Sequence, residues 1–364
     1  MKVEITQENL SKALSSVARV AGGRTTLPVL ANILLATENG LLKIAATNLE
    51  VAIIQRIGAK IAQEGSFTVP ARLLQEYIAA LPAGNITLEL QDNKLAITAK
   101  NYKSSINGVA AEEFPALPSV QSEQPIELEE SAVKTAVSKV IIAASNDDAR
   151  PILTGAFLHT HEGTLYLAAT DSYRLAEHKI AKTSREIAVV IPAKSLSELL
   201  RLITDGDDVI EIHDDETQVR FVYGNSELIT RLVDGKFPEY RQLIPAESEV
   251  SLSISRSEFS NITKVASLFA RESAGSITIS VDGDEGTVSI RSVAAQVGEN
   301  TSSAEATIKG SGDVTLNSRF LLDALGAMNA DSVSFKISGK IKPCILRPEV
   351  DNPEYLHVIM PLRS

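Results

Sequence analysis

The chain of 364 residues has no tryptophan, a single cysteine and only 4% aromatic residues. One cysteine excludes an intramolecular disulfide and a cysteine-rich metal site. The scarcity of aromatic rings argues against a protein that grips single-stranded nucleic acid by stacking its bases. No apolar run reaches the roughly 18 residues of a membrane helix, and the N-terminus lacks a signal-peptide pattern. We therefore expect a cytoplasmic protein with no membrane partner.

Composition and charge further restrict the class of protein. Hydrophobic residues make up 44% of the chain and charged residues 22%, as in globular proteins, and the length allows two or three domains. The cysteine, Cys344, lies in the apolar stretch 343–346 and is expected to pack in a core. The formal net charge of −11 argues against nucleic acid, because Lys and Arg side chains supply most non-specific affinity for phosphates.

A strand followed by an amphipathic helix occurs three times. The strands are predicted at 3–5, 126–128 and 252–254, and the third helix opens with the capping-box pattern of residues 255–258. Apolar residues follow at the spacing of one helix face. The predicted inward faces are Leu10, Ala13, Leu14 and Val17, then Val133, Ala136, Val137 and Val140, then Phe259, Ile262, Ala266 and Phe269.

A second signature, a strand and then a helix that starts at Pro or Asn, gives the period of the repeat. It occurs at Pro70, Pro192 and Asn317, which are 122 and 125 residues apart. The similar segments 42–47 and 165–170 add a third marker, 123 residues apart. Short acidic or serine-containing linkers follow the first two copies. We predict an α+β fold of three tandem domains, 1–120, 125–246 and 249–364, each with two helices packed on antiparallel sheet.

The sequence shows no catalytic constellation. His159 and His161 point to one face of a strand like two metal ligands, but no third ligand is marked. The acidic pairs 147–148, 207–208 and 214–215 read as solvated turns, and residues 22–26 match neither a P-loop nor a dinucleotide fingerprint. We expect no cofactor, no metal site and no enzymatic activity.

Basic residues recur on the predicted helices, opposite the apolar faces. One interpretation is surface ion pairs at i, i+4, as between Arg72 and Glu76. The other is a locally positive surface that binds phosphates weakly and without sequence preference, which requires a closed ring for retention on DNA. The residues assigned to this DNA-facing surface are Lys12, Arg19, Arg72, Lys134, Lys139, Lys194, Arg201, Lys264 and Arg319.

Together with the three repeats, residues 25–34, 169–176, 232–240 and 360–363 make the whole chain resemble the bacterial DNA polymerase III β subunit family, the replicative sliding clamps. The resemblance implies a head-to-tail homodimer that encircles duplex DNA, with helices lining the hole. It implies the replicative polymerase, the clamp loader and other clamp-binding proteins as partners. It also adds Arg24 to the DNA-facing residues and places Leu268 and Phe269 at the subunit interface.

The resemblance further implies a groove that binds a short linear peptide between the second and third domains. The matching residues are Arg150, Leu153, Thr170, Tyr173, Arg174, Leu175, Pro238, Gln242, Leu243, Val358, Met360, Pro361 and Leu362. An apolar floor rimmed by Arg150 and Arg174 suits a hydrophobic peptide with an acidic or polar end. Two departures stand out: Ser172 and Tyr173 where many relatives have Gly-His, and Gln242 where some have Arg.

Two other functions remain open at this point. An α+β repeat scaffold would bind proteins without encircling DNA, and retention on circular but not linear DNA separates the two. An enzyme with a site assembled between domains would require a nucleophile, base or cofactor motif that the sequence does not show.

Overall fold

The computed structural model describes residues 1–22, 27–203, 208–294, 296 and 298–362. The chain divides into two compact units. The first unit comprises Met1–Ser131 and Glu198–Leu232, and the second comprises Ala132–Ser197 and Val233–Ser364. Each unit therefore draws on parts of the chain that are distant in sequence.

Helices and strands are numbered in chain order. The first part of the chain contains β1 (Lys2–Thr6), α1 (Gln7–Val17), β2 (Asn32–Glu38), β3 (Leu41–Thr47), β4 (Val51–Gly58), β5 (Lys60–Gln63), β6 (Ser66–Pro70), α2 (Ala71–Ala80), β7 (Asn85–Gln91), β8 (Lys94–Ala99) and β9 (Tyr102–Asn107). The middle part contains β10 (Ile126–Glu129), α3 (Glu130–Val140), β11 (Gly155–His161), β12 (Thr164–Thr170), β13 (Arg174–Lys182), β14 (Ala188–Pro192), α4 (Ala193–Leu202), β15 (Val209–Asp214), β16 (Gln218–Tyr223) and β17 (Ser226–Arg231).

The last part contains β18 (Val250–Ser255), α5 (Arg256–Phe269), β19 (Ser276–Asp282), β20 (Thr287–Ala294), β21 (Gly298–Glu305), β22 (Thr307–Lys309), β23 (Gly312–Asn317), α6 (Ser318–Gly326), β24 (Ser332–Ile337), β25 (Cys344–Pro348) and β26 (Tyr355–Ile359). Short 3-10 turns lie at Pro28–Ala31, Ala111–Glu113, Ile141–Ala143, Pro151–Thr154, Tyr240–Leu243 and Arg271–Ser273. The three predicted strand–helix pairs are confirmed as β1–α1, β10–α3 and β18–α5, and the second signature as β6–α2, β14–α4 and β23–α6.

Two antiparallel sheets form the first unit. One has the strand order β5-β1-β7-β8-β9, and the other has the order β10-β15-β16-β17-β4-β3-β2-β6. In the larger sheet β17 pairs with β4, from Ser226 opposite Gln55 to Thr230 opposite Val51. Strands from the first and middle parts of the chain therefore share one sheet.

An ion-pair network lies on this shared sheet. The Glu227 carboxylate accepts from Arg56 Nη1 at 2.5 Å and from Arg220 Nε at 2.6 Å. Burial raises the pKa of Glu227, but the hydrogen bonds from Arg220 and Arg56 outweigh it and hold the pKa below its usual range. The network ties β4 to β16 and β17.

The second unit repeats this arrangement with strands from the middle and last parts of the chain. Its larger sheet has the order β14-β11-β12-β13-β26-β25-β24-β18-β22, and its smaller sheet has the order β21-β20-β19-β23. The junction is the antiparallel pair β13–β26, from Arg174 opposite Ile359 to His178 opposite Tyr355. This strand pair positions the candidate site described below.

The helix faces follow the predicted apolar stripes in α1 and α3, whose predicted inward residues are all buried. In α5 the prediction was partly wrong. Phe259 and Ala266 are buried as predicted, but Thr263 is fully buried instead of Ile262 and Phe269, which are half-buried. The Thr263 hydroxyl donates to the Phe259 carbonyl at 2.7 Å, so a polar side chain fits an apolar face without an unsatisfied donor.

Helix caps agree with the sequence signals in α5 and α6. Ser255 Oγ accepts from the Glu258 backbone N–H at 3.4 Å, and Asn317 Oδ1 accepts from the Arg319 N–H at 2.9 Å.

Cys344 is fully buried on β25, and burial raises the pKa of its thiol to about 12. In the part of the chain that the structure describes, no helix has the length and apolar character needed to cross a bilayer.

Candidate peptide-binding groove

The register of β13 and β26 sorts their side chains onto two faces. Leu175 lies opposite Val358, and the Met360 N–H donates to the Tyr173 carbonyl at 2.8 Å, which continues the ladder past the strand ends. Because paired residues share a face and successive residues alternate, Tyr173, Leu175, Val358 and Met360 lie on the same face of the sheet. We call this surface the groove face.

The floor of the groove face is a buried apolar cluster. Leu175 and Val358, both predicted groove residues, belong to it. Its other buried members are Ala168, Val190, Phe237, Tyr240, Ile345 and Leu356, with Ile152, Phe157, Val233 and Ile244 packed against it. The sequence prediction missed Phe237 and Tyr240 as floor residues, although both stand in the segment that closes the second repeat.

The segment around the 3-10 turn Tyr240–Leu243 borders this floor. Pro238, Gln242 and Leu243 are exposed, and Leu243 is 57% exposed despite its apolar side chain. Tyr240, in contrast, is buried in the floor. An exposed apolar side chain next to a buried apolar cluster is a common feature of protein-binding surfaces.

Polar contacts beneath the turn hold it in place. The Tyr240 hydroxyl donates to Glu177 Oε2 and lies 2.7 Å from His159 Nε2, while Arg241 Nη2 lies 2.9 Å from Glu177 Oε2. The Arg241 guanidinium also lies 4.4 Å from the centre of the Tyr166 ring. Burial, and secondarily the charge of Arg241, lowers the pKa of His159 to about 4, so this histidine is neutral at physiological pH.

The loop between β12 and β13 carries Tyr173 and is closely hydrogen-bonded. Thr170 Oγ1 accepts from the Ser172 N–H at 3.1 Å, and Asp171 Oδ1 accepts from the N–H groups of Tyr173 and Arg174, each at 2.9 Å. Ser172 has φ of 78°, in the left-handed region that a residue with a Cβ rarely adopts. The Tyr173 side chain is 60% exposed at the end of this loop.

Arg174 differs from the expectation that it rims the groove. It lies one residue from Leu175 and therefore on the opposite face of the sheet from the groove face. Its side chain is only 8% exposed; Nε lies 3.1 Å from Asp171 Oδ2 and Nη1 lies 2.6 Å from Asp323 Oδ2 of α6. The guanidinium also lies 4.5 Å from the centre of the Phe320 ring. Arg174 thus ties β13 to α6 and presents no charge to the groove.

Arg150 is the other predicted rim residue, and it is partly exposed. Its Nε donates to Asp147 Oδ2 at 3.2 Å and its Nη1 donates to Ser172 Oγ at 3.0 Å. Leu153, in the turn that follows, is buried. Arg150 therefore supports the loop that carries Tyr173.

The end of the chain supplies the remaining predicted groove residues. Met360, Pro361 and Leu362 are half-buried, and the Leu362 N–H donates to the Thr315 carbonyl at 2.8 Å. This hydrogen bond attaches the segment after β26 to β23.

The predicted DNA-facing residues fall into different surroundings. Lys12, Arg19 and Arg201 line a polar cavity of about 650 Å³ in the first unit, together with Glu198 and Asp208. Arg201 is paired with Glu198 there, and Arg19 Nε donates to the Ser15 carbonyl at 3.2 Å. This cavity brings together basic residues of α1 and α4.

The other predicted DNA-facing residues are mostly exposed. Arg72 is 91% exposed beside Glu76 at 2.8 Å, and Arg319 is 80% exposed. Lys194 and Lys264 are exposed and Lys134 is half-buried. Lys139 is half-buried with Nζ 5.8 Å from the centre of the Tyr355 ring, and burial lowers its pKa. Arg24 lies outside the described residues.

The outer face of α5 carries the predicted interface residues. Leu268 is 53% exposed and Val265 is 42% exposed, while Phe269 is half-buried. Two exposed apolar residues three positions apart form a stripe on one side of the helix.

Within the described residues, no group of three or more His, Cys, Asp or Glu side chains is arranged to hold a metal ion. His159 bonds to Tyr240 and stacks on Phe157 with ring centres 4.5 Å apart, whereas His161 is 45% exposed. Fold and surface together define a protein built from repeated α+β domains, with an exposed Tyr173 and Leu243 beside a buried apolar cluster.

Three family models cover almost the whole chain. They are the N-terminal, central and C-terminal domains of the DNA polymerase III beta subunit, matched at residues 1–118, 127–239 and 241–363. A beta sliding clamp of Synechococcus elongatus is 30% identical over 373 residues, covering 100% of this chain and 99% of the relative. One of Staphylococcus aureus is 29% identical over 377 residues, covering 100% of both chains.

Solved structures agree with these matches. The DNA polymerase sliding clamp of Bacillus subtilis aligns with a TM-score of 0.96 at 28% identity, covering 100% of this chain and 99% of the other. A sliding clamp of Pseudomonas aeruginosa bound to griselimycin aligns with a TM-score of 0.95 at 27% identity, covering 100% of both chains.

The chain belongs to the DNA polymerase III beta subunit family, the beta sliding clamps. The predicted fold class is confirmed: three clamp domains of mixed helix and sheet. Members of this family are non-catalytic processivity factors of DNA replication, so the chain acts as a DNA sliding clamp and not as an enzyme. Family membership implies DNA and a DNA polymerase as partners and a dimer as the assembly.

Proposed function

We propose that two copies of this chain join head-to-tail into a ring around duplex DNA and hold the replicative polymerase on its template through the groove face. The observation that carries the proposal is the exposed Tyr173 and the half-buried Met360 beside the buried apolar cluster that contains Leu175 and Val358. An extended peptide with apolar side chains suits such a surface. Tethering raises the effective concentration of the polymerase at the primer end.

The groove is assigned to the residues at which the chain resembles its family, with one change. Arg174 acts from behind the sheet by tying β13 to α6. The residues proposed to line or border the groove are Arg150, Leu153, Thr170, Tyr173, Leu175, Pro238, Gln242, Leu243, Val358, Met360, Pro361 and Leu362. Other proteins with a clamp-binding peptide, including the clamp loader, would compete for the same surface.

The ring is proposed to contain six domains, three from each copy, with limits near 1–120, 125–246 and 249–364. A head-to-tail contact between identical chains closes into a ring only if its rotation permits. The exposed Leu268 and Val265 side chains on α5 supply an apolar stripe for that contact. A second chain would bury this stripe, including Phe269.

Contacts with DNA are proposed to be weak and independent of sequence. The exposed cations include Arg72, Lys194, Lys264 and Arg319, and Lys12, Arg19 and Arg201 are among the basic residues that line the cavity between α1 and α4. Cations distributed in this way neutralise phosphates without reading base edges. The net charge of −11 makes tight phosphate binding unfavourable, so the closed ring provides the retention. We place the protein in the cytoplasm with the DNA it serves.

Loading onto DNA is assigned to a separate ATP-driven clamp loader, because the sequence has no nucleotide-binding motif of its own. The test is retention of the protein on nicked circular plasmid after incubation with a cognate loader and ATP. Co-elution with the plasmid that disappears when the plasmid is linearised is the expected result. Equal retention on circular and linear DNA, or no retention with a loader shown to be active, would support a scaffold that does not encircle DNA.

A further inference from the structure

We propose that the polar cavity between α1 and α4 binds a small phosphorylated molecule of the nucleoside phosphate class. The cavity measures about 650 Å³, and all its lining residues belong to the first unit. None of them belongs to the proposed peptide groove. Three observations carry the proposal: the matching place in the second unit is filled, the lining has an excess of positive charge, and two of its cations are available to a ligand.

The strand pairs of the two units give the cavity a counterpart in the second unit. Where β17 pairs with β4, Ser226 lies opposite Gln55. Where β26 pairs with β13, Tyr355 lies opposite His178. Gln55 and His178 are 123 residues apart, which is the spacing of the sequence repeat. Ser226 therefore occupies the position in the first unit that Tyr355 occupies in the second.

The helices that follow β1 and β10 correspond in the same way. α1 and α3 each contain 11 residues and end at a buried valine, Val17 in α1 and Val140 in α3. The residue before this valine is Ser16 in α1 and Lys139 in α3. A serine of the first unit thus again matches a much larger side chain of the second.

These side chains explain why the place is filled in one unit and open in the other. Lys139 Nζ lies 5.8 Å from the centre of the Tyr355 ring, and the Tyr355 hydroxyl lies 3.3 Å from the Lys139 carbonyl oxygen. Ser16 and Ser226 instead line the cavity. Protein interiors are normally packed without large voids. Pockets for small molecules measure about 300 to 1,000 Å³, so the open place has the size of a ligand site.

The charge of the lining selects an anion. The chain as a whole has a net charge of −11, yet basic side chains outnumber acidic ones around the cavity. A positive cavity in an acidic protein concentrates anions locally. Guanidinium groups bind phosphate oxygens through paired N–H donors, and a lysine adds a point charge. The charged lining residues are Lys12, Arg19, Arg56 and Arg201, with Glu198 and Asp208.

Two of the four cations are available to a ligand. Arg56 and Arg201 are paired with carboxylates of the protein. In the described part of the chain no carboxylate lies within ion-pair distance of Lys12 or Arg19, and both side chains are exposed. A phosphate group between them would supply the missing negative charge.

The uncharged lining suits the rest of a nucleoside phosphate. Amides and hydroxyls both donate and accept hydrogen bonds, as base edges and sugar hydroxyls require. Carboxylates only accept, so Glu198 and Asp208 favour a ligand that also carries hydroxyl groups over a bare phosphate. The amide and hydroxyl side chains are those of Asn9, Gln55, Asn225, Ser15, Ser16 and Ser226.

The test is isothermal titration calorimetry of the full chain with ADP, adenosine and inorganic pyrophosphate in magnesium-free buffer. ADP is expected to bind with a dissociation constant below about 1 mM. Adenosine should bind at least about 10-fold more weakly because it has no phosphate for the cations. Pyrophosphate should also bind more weakly, because it has no hydroxyl groups for the carboxylates. Equal affinities for ADP and adenosine, or for ADP and pyrophosphate, overturn the assigned ligand class.

Variants then locate the site. Ser226→Tyr introduces the side chain that fills the counterpart in the second unit, so it should abolish ADP binding while leaving the cations in place. Lys12→Gln and Arg19→Gln should each weaken ADP by at least about 5-fold. Lys264→Gln removes an exposed lysine of α5, outside the cavity, and should leave the affinity unchanged. Thermal melting checks folding, and Ser16→Leu is a second way to fill the cavity if Ser226→Tyr does not fold.

Titration with a short DNA duplex separates this site from the DNA contact proposed for the same cations. No detectable binding of ADP, or an ADP affinity that survives filling of the cavity, overturns the proposal. If ADP does not bind and Lys12→Gln weakens the duplex, the cations serve DNA alone, and the proposed clamp function stands without the nucleotide site. ADP binding to the wild type that is lost in Ser226→Tyr establishes the site whether or not the ring closes on DNA.

Discussion

The two faces of the β13–β26 strand pair differ sharply, although their residues alternate along the same strands. The groove face carries Tyr173, Leu175, Val358 and Met360 and ends in an open, apolar surface. The opposite face, which we call the closed face, carries polar side chains that are buried. There Arg174 is paired with Asp171 and Asp323. On that face His357 is fully buried with Nδ1 2.8 Å from the Tyr355 hydroxyl.

The contrast shows which face of the strand pair is covered by the rest of the protein and which face is partly open to solvent. Polar groups can be buried on the closed face because most of them bond to one another, which offsets the cost of removing them from water. The apolar groove face lacks such a cover over Tyr173. A single step along β13, from Arg174 to Leu175, therefore separates a structural ion pair from the groove face.

Removing Arg174 is expected to have the largest effect on stability. Arg174→Ala leaves Asp323 and Asp171 without their common partner, and we expect the free energy of unfolding to fall by about 3 kcal/mol. The measurement is urea denaturation followed by circular dichroism. Arg150→Ala is the matched control, since a partly exposed pair contributes no more than about 1 kcal/mol. Equal losses in the two variants would contradict the assignment of Arg174 to the closed face.

Acid is expected to weaken the closed face through His357. Burial lowers its pKa to about 3, so the unfolded chain, with a histidine pKa of about 6.5, binds a proton that the folded state excludes. Stability is therefore complete above about pH 6.5 and falls as the pH decreases toward the folded pKa, by about 2 kcal/mol at pH 5.

His357→Gln isolates this contribution, because the difference in Tm between pH 7.5 and pH 5 should shrink in the variant. His161→Gln is the control at an exposed histidine and should leave the pH dependence unchanged. If both variants keep the wild-type dependence, His357 does not carry the effect.

The hydrogen bonds of the Tyr240 hydroxyl beneath the groove face should contribute less to the free energy of unfolding. Tyr240→Phe removes the hydroxyl that bonds to Glu177 and His159 and leaves both without that partner, so we expect a loss of about 1 to 2 kcal/mol. We also expect weaker peptide binding, since the turn that carries Leu243 is less firmly held. Tyr77→Phe, on a half-buried tyrosine of α2, is a control for the substitution itself. A normal peptide affinity in Tyr240→Phe would mean that the hydroxyl does not position the turn.

The smallest expected effect is at the buried threonine of α5. Thr263→Val keeps the shape and removes only a hydroxyl whose acceptor, the Phe259 carbonyl, lies one helical turn away. The free energy of unfolding should change by less than about 1 kcal/mol. Thr263→Asn, which adds a larger polar group at the same buried position, should be much more destabilising. Comparable stability of the two variants would show that Thr263 is not packed as described.

Local patterns in the sequence predicted the helices and their caps well. The stripe of α1, the strand–helix pairs and the caps of α5 and α6 depend on residues within one or two turns of each other. Thr263 escaped the prediction because a hydroxyl that bonds to its own helix behaves as a core side chain. The sequence did not predict that Arg174 pairs with Asp323 of α6, because its neighbours along the chain do not reveal which face of β13 meets that helix.

The sequence by itself determined the threefold repeat, the α+β class and the membership in the sliding-clamp family, since periodicity and local motifs survive without knowledge of contacts. Only the tertiary structure decided that β17 joins β4 and that β13 joins β26, because strand pairing between distant segments leaves no local signal. The register of β13 on β26 then placed Tyr173 and Leu175 on the groove face and Arg174 on the opposite face. Because side chains alternate between the two faces of a strand, a shift of one residue in the pairing register would exchange the faces.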